Sequence, residues 1–211
     1  PISPYEAYSK ADNKPHVKVG RDKLRQILAE CSTSELVIWL ALKIQVSRQK
    51  AKDGKVLVIG RSIAGDCRRS WRQVRTVMAG LREKGVIAYA SLHENTQFEI
   101  ELASSPTANA NHIRVPYDFV WGGHAEAVGS ALPTLLALKA ACIGKKPVTN
   151  ILVKTIASRT YRSERAVKAD LKYLAERHHV RECKTNGRVV RLVSLLPVTS
   201  EVYGEPNQHD T

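Results

Sequence analysis

Five arginines lie close together between residues 62 and 87, in the stretch SIAGDCRRSWRQVRTVMAGLREKGVI. A guanidinium group carries a permanent charge and a planar fork of donors, so it can form two parallel hydrogen bonds with a phosphate, a carboxylate or the edge of a guanine. Between the arginines, Trp71, Val74, Met78 and Leu81 recur at the spacing of one helix face. The stretch therefore predicts a helix with an apolar back and a cationic front. The five are Arg68, Arg69, Arg72, Arg75 and Arg82.

The whole chain carries a large excess of positive charge. Its 211 residues include 33 Lys or Arg against 20 Asp or Glu, a formal net charge of +13, and 43% of them are hydrophobic. This composition supports buried cores and favours a polyanionic partner, of which nucleic acid is the commonest. No apolar run reaches the roughly 18 residues of a membrane span, and the first residues, PISPYEAYSK, lack the layout of a signal peptide. We expect a cytoplasmic protein with no membrane partner.

The four cysteines are far apart and show no CxxC spacing. They match neither a zinc ligand set nor a compact disulfide framework, so no metal site is predicted. We interpret them as small, mostly buried apolar residues in a reducing compartment.

The chain repeats itself. HVKV at 16–19 matches HIRV at 112–115, and LALK occurs both at 40–43 and at 136–139, each pair 96 residues apart. After one three-residue deletion the offset is 93, and the two halves align over about 85 positions, which predicts a tandem duplication. Pairs at the second offset are Ser70 and Ser163, Val74 and Val167, and Leu81 and Leu174.

The first copy predicts helix, strand, helix, turn, helix and a two-stranded hairpin. Ser34 is expected to cap the strongly apolar helix ELVIWLALKIQVS, and Ser62 to cap IAGDC after the strand KVLVIG. Ser70 and Gln73 form a capping box at the start of the third helix, which Gly85 ends. The alternating segments VIAYASL and QFEIEL follow as strands. This order is that of a winged helix-turn-helix domain.

The second copy predicts the same order. The helix PTLLALKAAC precedes a strand NILVK at 150–154, Thr155 caps IASRT, and Ser163 caps ERAVKADLKYLAER. The strands VRECK and RVVRLVSLL flank Asn186 and Gly187, a strong hairpin-turn signal. The expected fold class is α+β, with two tandem winged helix-turn-helix domains from an internal duplication. The expected boundaries are 1–15 for an N-terminal arm, 16–102 and 112–196 for the domains, 103–111 for a linker and 197–211 for a disordered acidic tail.

Positive charge is concentrated on the two helix-turn-helix segments. Residues 61–84 carry seven Arg or Lys against two acids, and residues 154–177 carry seven against three. An ordinary solvated helix face mixes its signs, so this bias favours contact with phosphates and base edges. The predicted DNA-binding residues are Arg68, Arg69, Ser70, Arg72, Gln73, Arg75, Thr76, Arg159, Arg162, Ser163, Arg165, Lys168, Lys172, Lys184, Asn186 and Arg188.

No catalytic constellation is present in the sequence. There is no Walker A motif, no His-x-His pair with a nucleophilic tyrosine, and no carboxylate cluster for a two-metal nuclease. We interpret His178 and His179 as surface or cap residues at a helix end. The prediction is a protein that is not an enzyme and needs no cofactor.

The matched segments 62–87 and 155–180 give the chain a resemblance to theta-type plasmid and phage replication initiators, which consist of two related winged-helix domains. The resemblance implies a bacterial cytoplasmic or nucleoid protein, monomer or homodimer, that binds double-stranded DNA at repeated origin sites. Replication or transcription proteins are then candidate partners. Two alternatives remain open: a transcriptional or partition regulator of a mobile replicon, and a tandem winged-helix adaptor that binds protein.

Overall fold

The computed structural model describes residues 2–49, 55–93, 97–102, 112–142, 146–185, 188–199 and 201, with the backbone alone for residues 90–93. Within these ranges the chain is a mixed helix and sheet structure of the α+β kind. The predicted linker at 103–111 lies outside them.

The described residues of the first half form five helices and four strands. They are α1 (Pro4–Ala11), β1 (His16–Gly20), α2 (Arg21–Glu30), α3 (Thr33–Gln49), β2 (Lys55–Ile59), α4 (Gly60–Asp66), α5 (Trp71–Glu83), β3 (Ile87–His93) and β4 (Gln97–Leu102).

From β1 onward, the second half contains the same kinds of element in the same order, except that two short helices and a 3-10 turn stand where the first half has α2. They are β5 (His112–Pro116), α6 (Tyr117–Trp121), α7 (His124–Val128), a 3-10 turn (Gly129–Ala131), α8 (Leu132–Ala141), β6 (Val148–Thr149), α9 (Val153–Thr160), α10 (Glu164–Glu176), β7 (Val180–Thr185) and β8 (Arg188–Val193).

The two apolar helices α3 and α8 are the centre of the molecule. Every residue of α3 from Glu35 to Leu42 is buried, as is every residue of α8 from Leu132 to Leu138. Helices that are apolar on all sides need partners on all sides. Here α3 packs against α4, α5 and α6, and α8 packs against α2, α9 and α10. One continuous hydrophobic cluster runs through both halves.

Each half carries a three-stranded antiparallel sheet, with strand orders β2-β4-β3 and β6-β8-β7. In each sheet the last strand of the half lies in the middle and pairs with the strand before α4 or α9. In the first half β2 contacts α4 and β3 contacts α5, and in the second half β7 contacts α10. Each hairpin therefore lies next to the second helix of its pair.

A third sheet joins the halves. β1 pairs with β5 in antiparallel orientation, and Lys18 lies opposite Arg114, the residue that the 96-residue offset aligns with it. The flanking pairs are Val17 with Val115 and Val19 with Ile113, so matching positions exchange partners symmetrically. Helices also pack across the boundary between the halves. α2 of the first half packs on α8 and α9 of the second half, and α6 of the second half packs on α3 of the first.

The N-terminal arm is a helix that binds the second half. In α1, Tyr8 is buried in a small cluster with Leu192 and Val198. Asp12, which follows α1, lies 2.5 Å from the Lys139 ammonium and accepts hydrogen bonds from Ser194 Oγ and the Leu195 amide.

The expected tail boundary at 197 is too early, because Val198 is buried and its amide donates to the carbonyl of His178.

Three predicted caps and one predicted strand are wrong. α3 is capped by Ser32, whose Oγ accepts the Glu35 amide, and not by Ser34. Ser62 and Thr155 lie inside α4 and α9, each of which starts two residues earlier with no side-chain cap. The strand expected at 150–154 is not formed, because β6 comprises only Val148–Thr149, before these residues, and Val153 begins α9. The Thr149 hydroxyl accepts the Ile151 amide, and this local turn prevails over the β-propensity of Ile and Val.

Candidate nucleic-acid interface

Helix α5 starts at a complete capping box. Ser70 Oγ accepts the Gln73 amide at 3.3 Å, and Gln73 Oε1 accepts the Ser70 amide at 3.0 Å. The helix ends in a Schellman arrangement, in which the Val86 amide donates to the Leu81 carbonyl and Gly85 has φ +65°. The capping box and Gly85 stop predicted from sequence are both confirmed.

The two faces of α5 are chemically opposite. Val74, Met78 and Leu81 are buried, as the spacing predicts. Arg72, Gln73, Arg75 and Thr76 are exposed. Gln73 is engaged in the capping box and Thr76 Oγ1 donates to the Arg72 carbonyl, so the two guanidinium groups are the outward donors of this front.

Trp71, the first residue of α5, fixes where the helix starts. Its ring lies 5.3 Å from that of Phe98 on the central strand of the sheet. The same indole covers Gly60 so closely that a Cβ at position 60 would overlap it. The helix start is thus packed against both α4 and the hairpin.

Helix α10 repeats this arrangement with different side chains. Ser163 Oγ accepts the Ala166 amide, and Val167 and Leu174 are buried. Arg165, Lys168 and Lys172 are exposed on the opposite side. Arg165 and Lys168 correspond to Arg72 and Arg75 at the offset of 93, so the cationic front recurs at matching positions.

The turns between the helices of each pair have the same backbone geometry. Arg68 and Tyr161, which correspond, both have φ +52°. The next residues, Arg69 and Arg162, donate their amides to Ala64 and Ala157. Tyr161 is 79% exposed. It is an aromatic side chain next to the start of α10 and is not among the predicted DNA-binding residues.

Four arginines predicted to contact DNA do not share one environment. Arg69 binds Glu126 and Ser34, which differs from the role that the sequence predicts for it. Arg162 binds the buried Asp170 at 3.0 Å. Arg68 donates to the Gly122 carbonyl while remaining exposed, and Arg159 is half-buried. Arg69 and Arg162 therefore hold the turns in place, and the outward donors are those of the helix fronts.

The two hairpins differ in charge. At the second hairpin Lys184 and Arg188 are exposed at the ends of β7 and β8, while Asn186 lies outside the described residues. At the first hairpin, a groove of about 630 Å³ runs between α5 and the sheet, with Arg72 and Arg75 on one side and Tyr89 and Phe98 on the other.

In the second half the positions of Tyr89 and Phe98 are occupied by Glu182 and Arg191. These two side chains form an ion pair at 2.8 Å. The two candidate surfaces therefore share a cationic helix and differ in what lies beside it.

Two buried thiols and one buried imidazole stay neutral at pH 7. Burial raises the pKa of Cys67 to about 12 and that of Cys142 to about 11, so both thiols are protonated at neutral pH. Burial lowers the pKa of His179 to about 4, against the opposing hydrogen bond to the Ser194 carbonyl. His178 is a cap residue with φ +61°, but His179 is buried, so the prediction of a surface residue is wrong for it.

The sequence matches no protein-family model, and a comparison with curated proteins finds no similar chain. Among the described residues, no group of three His, Cys, Asp or Glu side chains is arranged to hold a metal ion. No helix in the described ranges is long and apolar enough to cross a membrane.

Proposed function

We propose that this chain is a tandem winged-helix protein that binds double-stranded DNA sequence-specifically, with α5 and α10 as recognition helices. One observation carries the proposal. Arg72 and Arg165, and Arg75 and Lys168, are exposed at matching positions of two helices whose opposite faces are buried. A helix in the major groove needs an apolar back for its own domain and forked donors in front for guanine and phosphate.

The pairing of β1 with β5 supports a particular arrangement of the DNA site. Because Lys18 faces its own counterpart Arg114 in antiparallel orientation, the two halves are related locally by a two-fold operation. Symmetry in a DNA-binding protein is mirrored in its site. The half-sites should therefore be inverted and about one helical turn apart, within roughly 20 base pairs. Gln73 against Ala166 and Thr76 against Ala169 make the inverted repeat imperfect.

The resemblance to theta-type replication initiators supports a role at a replication origin, with a transcriptional or partition regulator of a mobile replicon as the alternative. An initiator melts DNA next to its binding sites, whereas a regulator does not. Permanganate footprinting of the native locus with the bound protein separates the two, since it detects unpaired thymines. A protein adaptor would neither melt this DNA nor bind it sequence-specifically.

Selection from a random duplex library tests the proposal directly. We expect enrichment of an inverted bipartite site, with an affinity that falls steeply between about 50 and 200 mM salt, at roughly one power of salt per phosphate contact. Arg72→Ala with Arg75→Ala should weaken binding by about 1–3 kcal/mol per lost base contact. Lys23→Ala with Arg25→Ala removes the same charge from α2 and should have a much smaller effect. An unchanged affinity in the α5 variant would exclude α5 as a recognition helix.

A further inference from the structure

The sheet that joins the halves has a cationic outer face. Along HVKV and HIRV the apolar residues Val17, Val19, Ile113 and Val115 are buried. The alternate residues point the other way, since successive side chains of a strand lie on opposite faces. They are His16, Lys18, His112 and Arg114. The duplication therefore puts four basic side chains on one face of a two-stranded sheet.

The centre of this face holds two like charges directly opposite each other. Lys18 and Arg114 are Cα partners across the ladder, where Cβ atoms lie about 5 Å apart and like charges are destabilising. Within the described ranges Lys18 has no acidic partner, and Arg114 donates to the amide oxygen of Asn13. Burial and then the charges of Lys18 and Arg114 lower the pKa of His112, which reflects the positive potential at this face.

A cavity of about 580 Å³ opens over this face, between α1, the β1–β5 sheet and the end of α8. We name it the junction pocket. Its cationic lining residues are Lys10, Lys18, Arg21, Arg114, Lys139 and Lys146.

Among the described lining residues the junction pocket has one carboxylate, that of Asp12. This carboxylate already forms an ion pair with Lys139 at 2.5 Å. Arg21 donates through one terminal nitrogen to the Cys142 carbonyl, and its Nε is buried without a partner among the described residues. A guanidinium with a buried unpartnered donor is costly unless an acceptor reaches it.

We propose that the junction pocket binds the phosphate groups of an anionic ligand, with Lys18, Arg21 and Arg114 as the principal phosphate-binding residues. Phosphate oxygens accept the two-pronged guanidinium hydrogen bonds and neutralise the facing charges of Lys18 and Arg114. The volume lies in the range of sites for nucleotide-sized molecules. Because the pocket is built from both halves, a bound ligand holds them in one relative position. The phosphates come either from a free phosphorylated molecule or from a DNA backbone that reaches the pocket.

Thermal unfolding and calorimetric titration with inorganic tripolyphosphate test the pocket without DNA. We expect tripolyphosphate to raise the melting temperature of the wild-type chain. In Lys18→Gln with Arg114→Gln, its dissociation constant should rise at least about tenfold, since two charge-assisted contacts are lost. That variant also removes the repulsion across β1–β5, so without ligand it should melt at the same or a higher temperature. Lys23→Gln with Arg25→Gln, which carries the same charge change on α2, should bind like the wild type.

A second titration identifies the source of the phosphate and separates the junction pocket from the recognition helices. Arg72→Ala with Arg75→Ala should leave tripolyphosphate binding unchanged, even where duplex binding fails. If tripolyphosphate does not bind but Lys18→Gln with Arg114→Gln weakens duplex binding more than the α2 control does, the phosphates come from DNA. If that variant matches the control in both titrations, the proposal is overturned. It is also overturned if tripolyphosphate binding is lost in the α5 variant and kept in the pocket variant.

Discussion

Arg69 donates from one guanidinium nitrogen to both carboxylate oxygens of Glu126 at 2.9 Å, and this ion pair joins the turn before α5 to α7 in the other half. The corresponding Arg162 binds Asp170, which belongs to its own half. The two corresponding arginines therefore keep the same place in the backbone while forming different contacts. In the first half the contact crosses between halves, so it couples the position of α5 to the rest of the molecule.

Replacing Glu126 should lower the free energy of unfolding more than replacing Arg69 does. Glu126→Gln leaves Arg69, whose side chain is 16% exposed, as a buried charge, and we expect a loss of about 2 kcal/mol in the free energy of unfolding. Arg69→Met removes the buried charge and leaves Glu126, 39% exposed, in contact with water, so the loss should be smaller. Urea unfolding of both variants measures the order. Equal losses, or a larger one for Arg69→Met, would contradict the argument.

The C-terminal ends of α5 and α10 offer a matched pair of substitutions. Gly85 and His178 correspond and have φ +65° and +61°, a region that costs a residue with a Cβ about 1–2 kcal/mol. A Cβ at Gly85 would meet no neighbour within 4 Å, so Gly85→Ala isolates the backbone effect. We expect it to lose about 1 kcal/mol and His178→Gly to gain about 0.5–1 kcal/mol, after the greater chain entropy of glycine is included. Denaturant unfolding in which both variants lose stability would contradict this prediction.

Acid should destabilise the protein through His179. Its pKa is about 4 in the folded chain and about 6.5 when unfolded, because burial opposes the charged form. Between these values the unfolded chain binds a proton that the folded chain does not. Stability is therefore complete above about pH 6.5 and falls by about 3 kcal/mol as pH decreases to about 4.

Variants at the two adjacent histidines isolate this contribution. His179→Asn keeps a donor near the Ser194 carbonyl and cannot be protonated, so the loss of stability across the acid range should shrink. His178→Asn, at an exposed position, should follow the wild-type profile. Free energies of unfolding measured over this pH range distinguish the variants, and parallel profiles for wild type and His179→Asn would rule out His179 as the cause.

The elements from α3 to β4 and from α8 to β8 are predictable because their signals are local, whereas α1, α2, α6 and α7 are not among the predicted elements. The capping box of Ser70 and Gln73, the apolar face of α5 and the alternating hairpin strands each depend on residues a few positions apart. The strand predicted at 150–154 is misplaced, since the observed strand β6 ends at Thr149, whose hydroxyl accepts the Ile151 amide against the β-preference of the residues that follow. The candidate site is predictable in part: the helix fronts follow from periodicity, whereas the ion pairs of Arg69 and Arg162 depend on partners that sequence spacing does not specify.

The way the halves meet is not predictable from the sequence. HVKV and HIRV serve in the sequence only as evidence of a repeat, and nothing in an alternating pattern selects a strand partner 96 residues away. The crossing of α2 onto α8 and α9 follows from that pairing, because β1 carries α2 to the other half. Two halves that align in sequence therefore need not form two independent hydrophobic cores, and here one core runs through both halves.

Gly60→Ala should disturb the start of α5 without removing any charged group. The methyl group would overlap the indole of Trp71, which must then move away from Phe98 and carry the first turn of α5 with it. Overpacking of this kind costs about 1–3 kcal/mol. Since Arg72 follows Trp71 directly, duplex affinity should fall as well, at temperatures where the variant remains folded.

Gly65→Ala is the matched control, in the same helix. A Cβ at position 65 meets no neighbour within 4 Å, and alanine is the better helix residue, so the variant should gain up to about 1 kcal/mol. Urea unfolding, together with titration of the selected duplex, gives both quantities for each variant. Equal affinities for wild type and Gly60→Ala would mean that the Trp71 contact stabilises α4 and α5 without positioning the cationic front. A loss of affinity confined to Gly60→Ala would tie DNA binding to the packing of one indole ring on one glycine.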